Sequence, residues 1–153
     1  MRIMELKILP PLLALILAAA MWGISKTTDF ASVESELTSV LSVILLIIGL
    51  LVDVSAIVMF RRANTTVNPM KPGNAVQLVH GGIYNRSRNP MYLASLVMLL
   101  AWGIWLGSTA SLVVLPFFVW YMTRFQILPE ERALAKLFSD EYEDYKSRVN
   151  RWV

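Results

Sequence analysis

Four apolar runs divide the chain, at residues 6–24, 37–60, 91–106 and 111–128. At about 1.5 Å per residue the second run crosses a hydrocarbon core of about 30 Å with room for tilt. The last two runs are shorter and are separated only by Gly107-Ser108-Thr109-Ala110, which predicts a tight helical hairpin, tilted or seated in locally thinned bilayer. Pro116 is expected to bend its second arm. The first run carries Pro10-Pro11 near its start, where the missing amide donors do least harm. Its basic flank and small residues Ala18 to Ala20 also fit a cleaved secretory leader, but the expectation is a retained first transmembrane helix.

The polar stretches have different characters. Residues 25–36 hold one lysine and three acids and read as a short external loop. Residues 61–90 form a long polar connection punctuated by Pro69, Pro72, Gly73, Gly81 and Gly82. Val76, Leu78, Val79, Ile83 and Tyr84 within it argue for order, and loops this long usually work. In residues 129–149, Leu134, Leu137, Phe138, Tyr142, Tyr145 and Val149 recur at helical spacing opposite Arg132, Lys136, Asp140 and Asp144. That predicts an amphipathic helix, opened by Pro129, Glu130 and Glu131, whose apolar face lies on the membrane or covers the long loop. The expected fold is all-α: one membrane domain over residues 1–153 with four spanning helices, a structured or re-entrant loop and a C-terminal amphipathic helix.

Composition agrees, with 56% hydrophobic and 16% charged residues and a mean hydropathy of +0.56. A net charge of +3 could suggest nucleic acid, but the basic residues flank apolar runs, the pattern of membrane anchoring. No nucleic-acid partner is therefore expected. Arg2 and Lys7, then Arg61, Arg62, Lys71, Arg86 and Arg88, then Arg124, Arg132, Lys136, Lys146, Arg148 and Arg151 all fall on one side of a four-span topology. Both termini and the long loop are thus expected in the cytoplasm, with the chain in the inner (plasma) membrane of a prokaryote. One histidine and no cysteine exclude zinc clusters and thiol nucleophiles, and no metal site is expected. Trp102, Trp105, Trp120 and Tyr121 read as interfacial anchors or pocket lining.

Two features carry candidate chemistry. Asp53 interrupts the second run, and a carboxylate at that depth must face protein or a polar cavity; it contacts substrate or a proton, or it makes a helix-packing hydrogen bond. The hairpin also brings Arg88-Asn89 next to Glu130-Glu131. An arginine for a carboxylate, carboxylates for an ammonium or ribose, and aromatic faces for a base or sulfonium together suit an amino-acid nucleoside.

Gly81 or Gly82, Tyr84, Arg88-Asn89-Pro90-Met91-Tyr92, an apolar hairpin and Glu130-Glu131, followed by Leu134, Phe138, Glu141-Tyr142, Tyr145 and Arg151-Trp152, resemble the isoprenylcysteine carboxyl methyltransferase and phospholipid N-methyltransferase superfamily. The likeness covers roughly residues 76–152, and the bipartite pattern is specific only in combination. It implies an integral membrane enzyme that binds S-adenosylmethionine through Tyr84, Arg88, Asn89, Pro90 and Tyr92 on one wall and Glu130 and Glu131 on the other. His80 is an added candidate from the same loop, although a surface histidine is the more ordinary outcome. Arg124 is similar to the basic residue that precedes the glutamates in this group, which implies catalytic roles for Arg124, by orienting an anionic substrate, and for Glu131. Three positions depart from the pattern: Asn89 stands where histidine is common, Ala94 where glycine is, and Pro129 directly precedes the glutamates.

Methyl transfer from a sulfonium requires in-line orientation more than covalent chemistry by the protein. The acceptor implied is lipophilic or membrane-delivered, with a carboxylate, amine or thiol as nucleophile, and membrane lipids are the other partners. The oligomeric state is left open. Two other readings stand beside this one: a reductase-like relative that binds a nicotinamide nucleotide, and a small four-helix transporter or assembly protein without catalysis.

Overall fold

The computed structural model describes residues 5–27, 35–63, 73 and 75–153. Parts of both polar connections, and Arg2 and Lys71 of the charge pattern, lie outside the described residues. Five α-helices organise the rest: α1 Pro10–Thr27, α2 Glu36–Arg62, α3 Pro90–Trp105, α4 Val114–Tyr121 and α5 Leu128–Arg148. α1, α2 and the helical run Thr109–Arg148 are long and apolar enough to cross a membrane, and α3 is a shorter apolar helix. Leu15, Ile16, Ile47, Leu51 and Val54 are exposed on their surfaces, the outward apolar face of an integral membrane protein.

α2 begins with a reciprocal cap, in which the Thr38 amide donates to Ser35 Oγ at 3.2 Å and the Ser35 amide to Thr38 Oγ1 at 3.0 Å. Its buried stripe is Ser42, Gly49 and Ala56, small residues one heptad apart that let α3 approach closely. A Cβ on Gly49 would stand 2.7 Å from Met98 Cγ and 3.2 Å from the Ala94 carbonyl oxygen, so Ala94 belongs to this seam. α1 packs on α3 through Leu13, Leu17 and Met21, and Trp102 Nε1 donates to the Ala18 carbonyl at 3.0 Å. α1 and α2 both pack on α3 rather than on each other, which leaves a cleft between them.

The hairpin turn is tighter than a plain loop, with Gly107 at φ 62° and a 3-10 turn over Thr109–Val113. Pro116, expected to bend the second arm, stands at the start of its α-helix. It is the third residue of α4, within the first turn, where no intrahelical donor is missed.

No break separates the fourth apolar run from the amphipathic tail. A π turn, Met122–Ile127, joins α4 to α5, and the apolar sequence of this run ends at Leu128. Pro129 explains the π turn, because it has no amide to offer the carbonyl four residues back, that of Phe125, and its ring crowds that carbonyl. The Leu6 amide donates to the Phe125 carbonyl instead, at 3.0 Å. The apolar face of α5 covers the loop: Tyr142, Tyr145 and Val149 pack with Leu78, Val79 and Tyr84 and with Ala56 at the end of α2.

Within α5, Ser139 breaks the helical path at φ 41°, ψ −112°, a conformation open to glycine but strained for serine. Ser139→Gly is expected to stabilise the protein by about 1 kcal/mol, seen as a rise of roughly 2–4 °C in the unfolding midpoint in detergent. A fall in the midpoint would show that the break carries no strain.

Candidate functional site

The corner preceding α3 is held by the end of the chain. The Arg88 amide donates to the Asn150 carbonyl at 3.0 Å, Asn89 Nδ2 donates to the Arg151 carbonyl at 2.9 Å, and the Asn89 amide donates to Ser87 Oγ at 3.1 Å. Pro90 is the first residue of α3, where its fixed φ suits the helix. The Tyr145 hydroxyl donates to the Tyr84 carbonyl at 2.7 Å, tying α5 to the same loop. Gly82 lies at φ 49°, which strains any L side chain, and a Cβ there would stand 2.8 Å from Met59 Sδ, so the flexible Met59 side chain would also have to shift.

The paired glutamates have separate duties. Glu131 accepts from Arg151 Nε at 2.9 Å and Nη2 at 2.8 Å, a two-pronged contact, and also lies 3.1 Å from Arg88 Nη2. Glu130 Oε1 accepts from the Tyr92 hydroxyl and from Gln126 Nε2, both at 2.6 Å. Gln126 sits one turn before Glu130, in the π turn. Burial pushes the Glu130 carboxyl up to about 7, and the neighbouring Glu131 adds to the rise against the opposing pull of these two donors.

Arg88 is nearly enclosed, with 8% of its side chain exposed, and its Nε and Nη1 are buried and make no hydrogen bond. It lines a cavity of about 820 Å³. Tyr84, Glu130, Glu131 and Tyr142 form the polar end of that cavity, while Leu15, Ala18, Leu99 and Trp102 form an apolar end between α1 and α3. Asp53 lies in its wall. Burial raises the phenols of Tyr84 and Tyr145 well above the ordinary range and that of Tyr142 to about 12, so all stay neutral donors.

Of the candidate residues that the sequence offers, Tyr84, Arg88, Asn89, Pro90, Tyr92, Glu130 and Glu131 line this one cavity. His80 is exposed and is not among its lining residues. Arg124 lines a separate groove between α3 and α4 and pairs with Glu5 at 3.7 Å. The Asn89 side-chain amide donates to the Arg151 carbonyl near the end of the chain. Sequence reasoning misses Gln126 and Arg151 as site residues; Gln126 carries a signal in its four-residue spacing to Glu130, whereas the contact between Arg151 and Glu131 spans twenty residues and a chain reversal.

The phospholipid methyltransferase family profile matches residues 37–141, which extends the likeness back to the start of α2. An uncharacterised protein of Haemophilus influenzae is 43% identical over 63 residues, 41% of this chain and 100% of that one. The protein-S-isoprenylcysteine O-methyltransferase of Saccharomyces cerevisiae is 30% identical over 118 residues, 77% of this chain and 49% of that protein. Its counterpart in Schizosaccharomyces pombe is 32% identical over 72 residues, 47% of this chain and 30% of that one. The chain thus spans about half the length, or less, of the two yeast relatives. No solved structure matches. The profile takes in both halves of the cavity wall, from α2 through the Arg-Asn-Pro corner to the paired glutamates, and the chain belongs to the phospholipid methyltransferase family of integral membrane proteins.

Proposed function

We propose that the protein is an S-adenosylmethionine-dependent methyltransferase that acts on a lipophilic acceptor at the membrane. The observation that carries this reading is the buried Arg88 guanidinium, whose Nε and Nη1 make no hydrogen bond, in the wall of a cavity that grades from polar to apolar. A buried charged donor without an acceptor is unfavourable, and a ligand carboxylate that accepts from one of the two would relieve it. Glu130, across the same cavity, suits an ammonium or ribose hydroxyls, and Tyr84 and Tyr142 offer faces and hydroxyls to a nucleoside. These groups fit the amino-acid nucleoside, which supplies an electrophilic methyl on its sulfonium when bound. The protein's own part is to orient, to exclude water at the buried polar end and to admit the acceptor from the apolar end. The positive-inside pattern, with Arg61, Arg62, Arg86 and Arg88 at this end, supports a cytoplasmic cofactor side. Equilibrium binding of labelled S-adenosylmethionine to the purified protein is the direct test, and absence of binding by the intact protein would sink the reading.

A pH dependence follows from Glu130. Its folded-state pKa is raised, so proton binding stabilises the ligand-free fold fully below the ordinary carboxylate range, and that contribution is lost as pH rises through about 7. A cationic ligand selects the carboxylate, so the sign for binding is opposite. Affinity is expected to rise about tenfold from pH 6 to pH 8, with proton release on binding. Glu130→Gln should flatten the profile; a profile of unchanged slope in that variant would assign the titration elsewhere.

A further inference from the structure

Gln126 is a polar residue only 3% exposed, set in the π turn beside the buried Met122, Phe125 and Ile127. An amide there is unfavourable unless it is bonded. Its Nε2 donates to Glu130 Oε1 at 2.6 Å, the same oxygen that accepts from the Tyr92 hydroxyl. Two donors from two elements thus meet on one oxygen. Among the described residues no donor reaches Glu130 Oε2, and that atom is not enclosed, so it is the oxygen that opens on the cavity. Pinning one oxygen orients the carboxylate and leaves the other for a ligand.

The charged and titratable groups around Glu130 come from four elements. Glu131 stands beside it on α5, Tyr92 reaches it from α3, and Tyr84 faces it from the loop. α2 brings Asp53 and Arg61 to the same cavity, whereas the lining residues of α1 are all apolar. Arg88 and Arg151 are both turned to Glu131. Gln126 and Tyr92 are therefore the groups that bond the Glu130 carboxylate directly.

The turn that carries Gln126 is itself clamped by the segment before α1. The Leu6 amide donates to the carbonyl of Phe125, the residue preceding Gln126. Glu5, 15% exposed, lies 2.6 Å from Arg132 Nη2 and 3.7 Å from Arg124 Nη1, so one carboxylate bridges a residue of the π turn and a residue of α5. Leu6 sits at φ 56°, unfavourable for a residue with a Cβ, and such a conformation persists where the surrounding contacts impose it. Neither Glu5 nor Leu6 lines the cavity. Without this strap the Phe125 carbonyl would be unpaired and free to turn, and Gln126 would move with it.

We propose that Gln126 is a positioning residue for the cofactor site: with Tyr92 it holds Glu130 so that Oε2 meets the ligand, and the Glu5-Leu6 strap keeps it there by clamping the π turn. The identity of the ligand rests on the methyltransferase reading. The hold on Glu130 does not, and it is measured without ligand.

The Glu130 carboxyl would be titrated in the ligand-free full chain by infrared difference spectroscopy, with Glu130→Gln identifying its band. Burial holds this carboxyl at about 7, and Gln126 favours the charged form by donating to it. In Gln126→Met, a change of similar shape without the donor, the midpoint should rise by roughly one pH unit. Affinity for labelled S-adenosylmethionine should fall about fivefold at pH 7, most of the loss returning by pH 9. An unmoved Glu130 midpoint in the folded variant, or an affinity loss equal at every pH, would overturn the proposal, since a general loosening of the fold gives that result.

The strap supplies a second test that alters no residue of the cavity and stands if Gln126→Met misfolds. Glu5→Ala with Leu6→Pro should move the Glu130 midpoint in the same direction and weaken binding about threefold at pH 7. Added to Gln126→Met, the strap changes should have no further effect, because their path runs through Gln126. Full additivity, or a Glu130 midpoint unmoved by the strap changes, would be contrary. A midpoint that moves as expected in a protein that binds no S-adenosylmethionine would count against the methyltransferase reading and support the hold of Gln126 on Glu130.

Discussion

Arg88→Ala is expected to weaken S-adenosylmethionine binding by about 100-fold or more while leaving the protein folded. The guanidinium is paired with Glu131 through Nη2, while the Arg88 backbone amide donates to the Asn150 carbonyl; neither contact uses Nε or Nη1. Those two donors are desolvated before any ligand arrives, so the protein has already borne the penalty of drying them and a carboxylate gains the full bond. Arg88→Lys should recover only part of the affinity, because an ammonium is a compact, strongly hydrated charge that cannot place its donors where the planar guanidinium does. Stability should change little on truncation to alanine, since Arg151 still satisfies both oxygens of Glu131. Isothermal titration, with circular dichroism as the folding check, decides the matter. An affinity within threefold of the native value in a folded Arg88→Ala protein would remove the carboxylate from this site.

Much of the architecture is written in the apolar runs and their charged borders, because helix length and the exclusion of charge from lipid are local constraints. The tail helix is legible for the same reason, as Tyr142, Tyr145 and Val149 share one face. Which surface that face covers is not legible, because membrane and loop both offer apolar partners and only tertiary packing on Leu78 and Val79 decides between them. The junction at residues 122–129 reads as a break in the sequence, whereas the chain stays helical through a π turn whose freed Phe125 carbonyl is satisfied by Leu6, a partner remote in sequence. The same remoteness hides Arg151 and alters the meaning of Asn89. An amide at the position where histidine is common reads as a ligand contact, yet its Nδ2 is bonded to the Arg151 carbonyl. Ala94 likewise meets the α2 seam through its backbone carbonyl and is absent from the lining of the cavity.

Glu131→Ala is expected to be the most destabilising change at the site, by about 3–5 kcal/mol, or roughly 10 °C in the unfolding midpoint in detergent. Glu131 is 13% exposed and uses both oxygens, so its removal leaves Arg88 with a buried guanidinium and no carboxylate partner. Arg151 is 34% exposed and can rehydrate, so Arg151→Ala should cost only about 1 kcal/mol. Loss of Glu131 also frees the chain end, whose carbonyls at Asn150 and Arg151 hold the Arg88 amide and the Asn89 side chain. Hydrogen exchange should therefore quicken at Arg88 and Asn89, and S-adenosylmethionine binding should fall although both Glu131 oxygens are already engaged by arginines. The discriminating result is the double variant. If the penalty arises from the uncompensated arginine, Glu131→Ala with Arg88→Ala should be more stable than Glu131→Ala alone, since removing the second charge removes the cost of burying it. Additive losses in the double variant, or a midpoint shift below about 2 °C for Glu131→Ala, would mean that Glu131 is a spectator of the fold and would return it to the ligand as a direct contact.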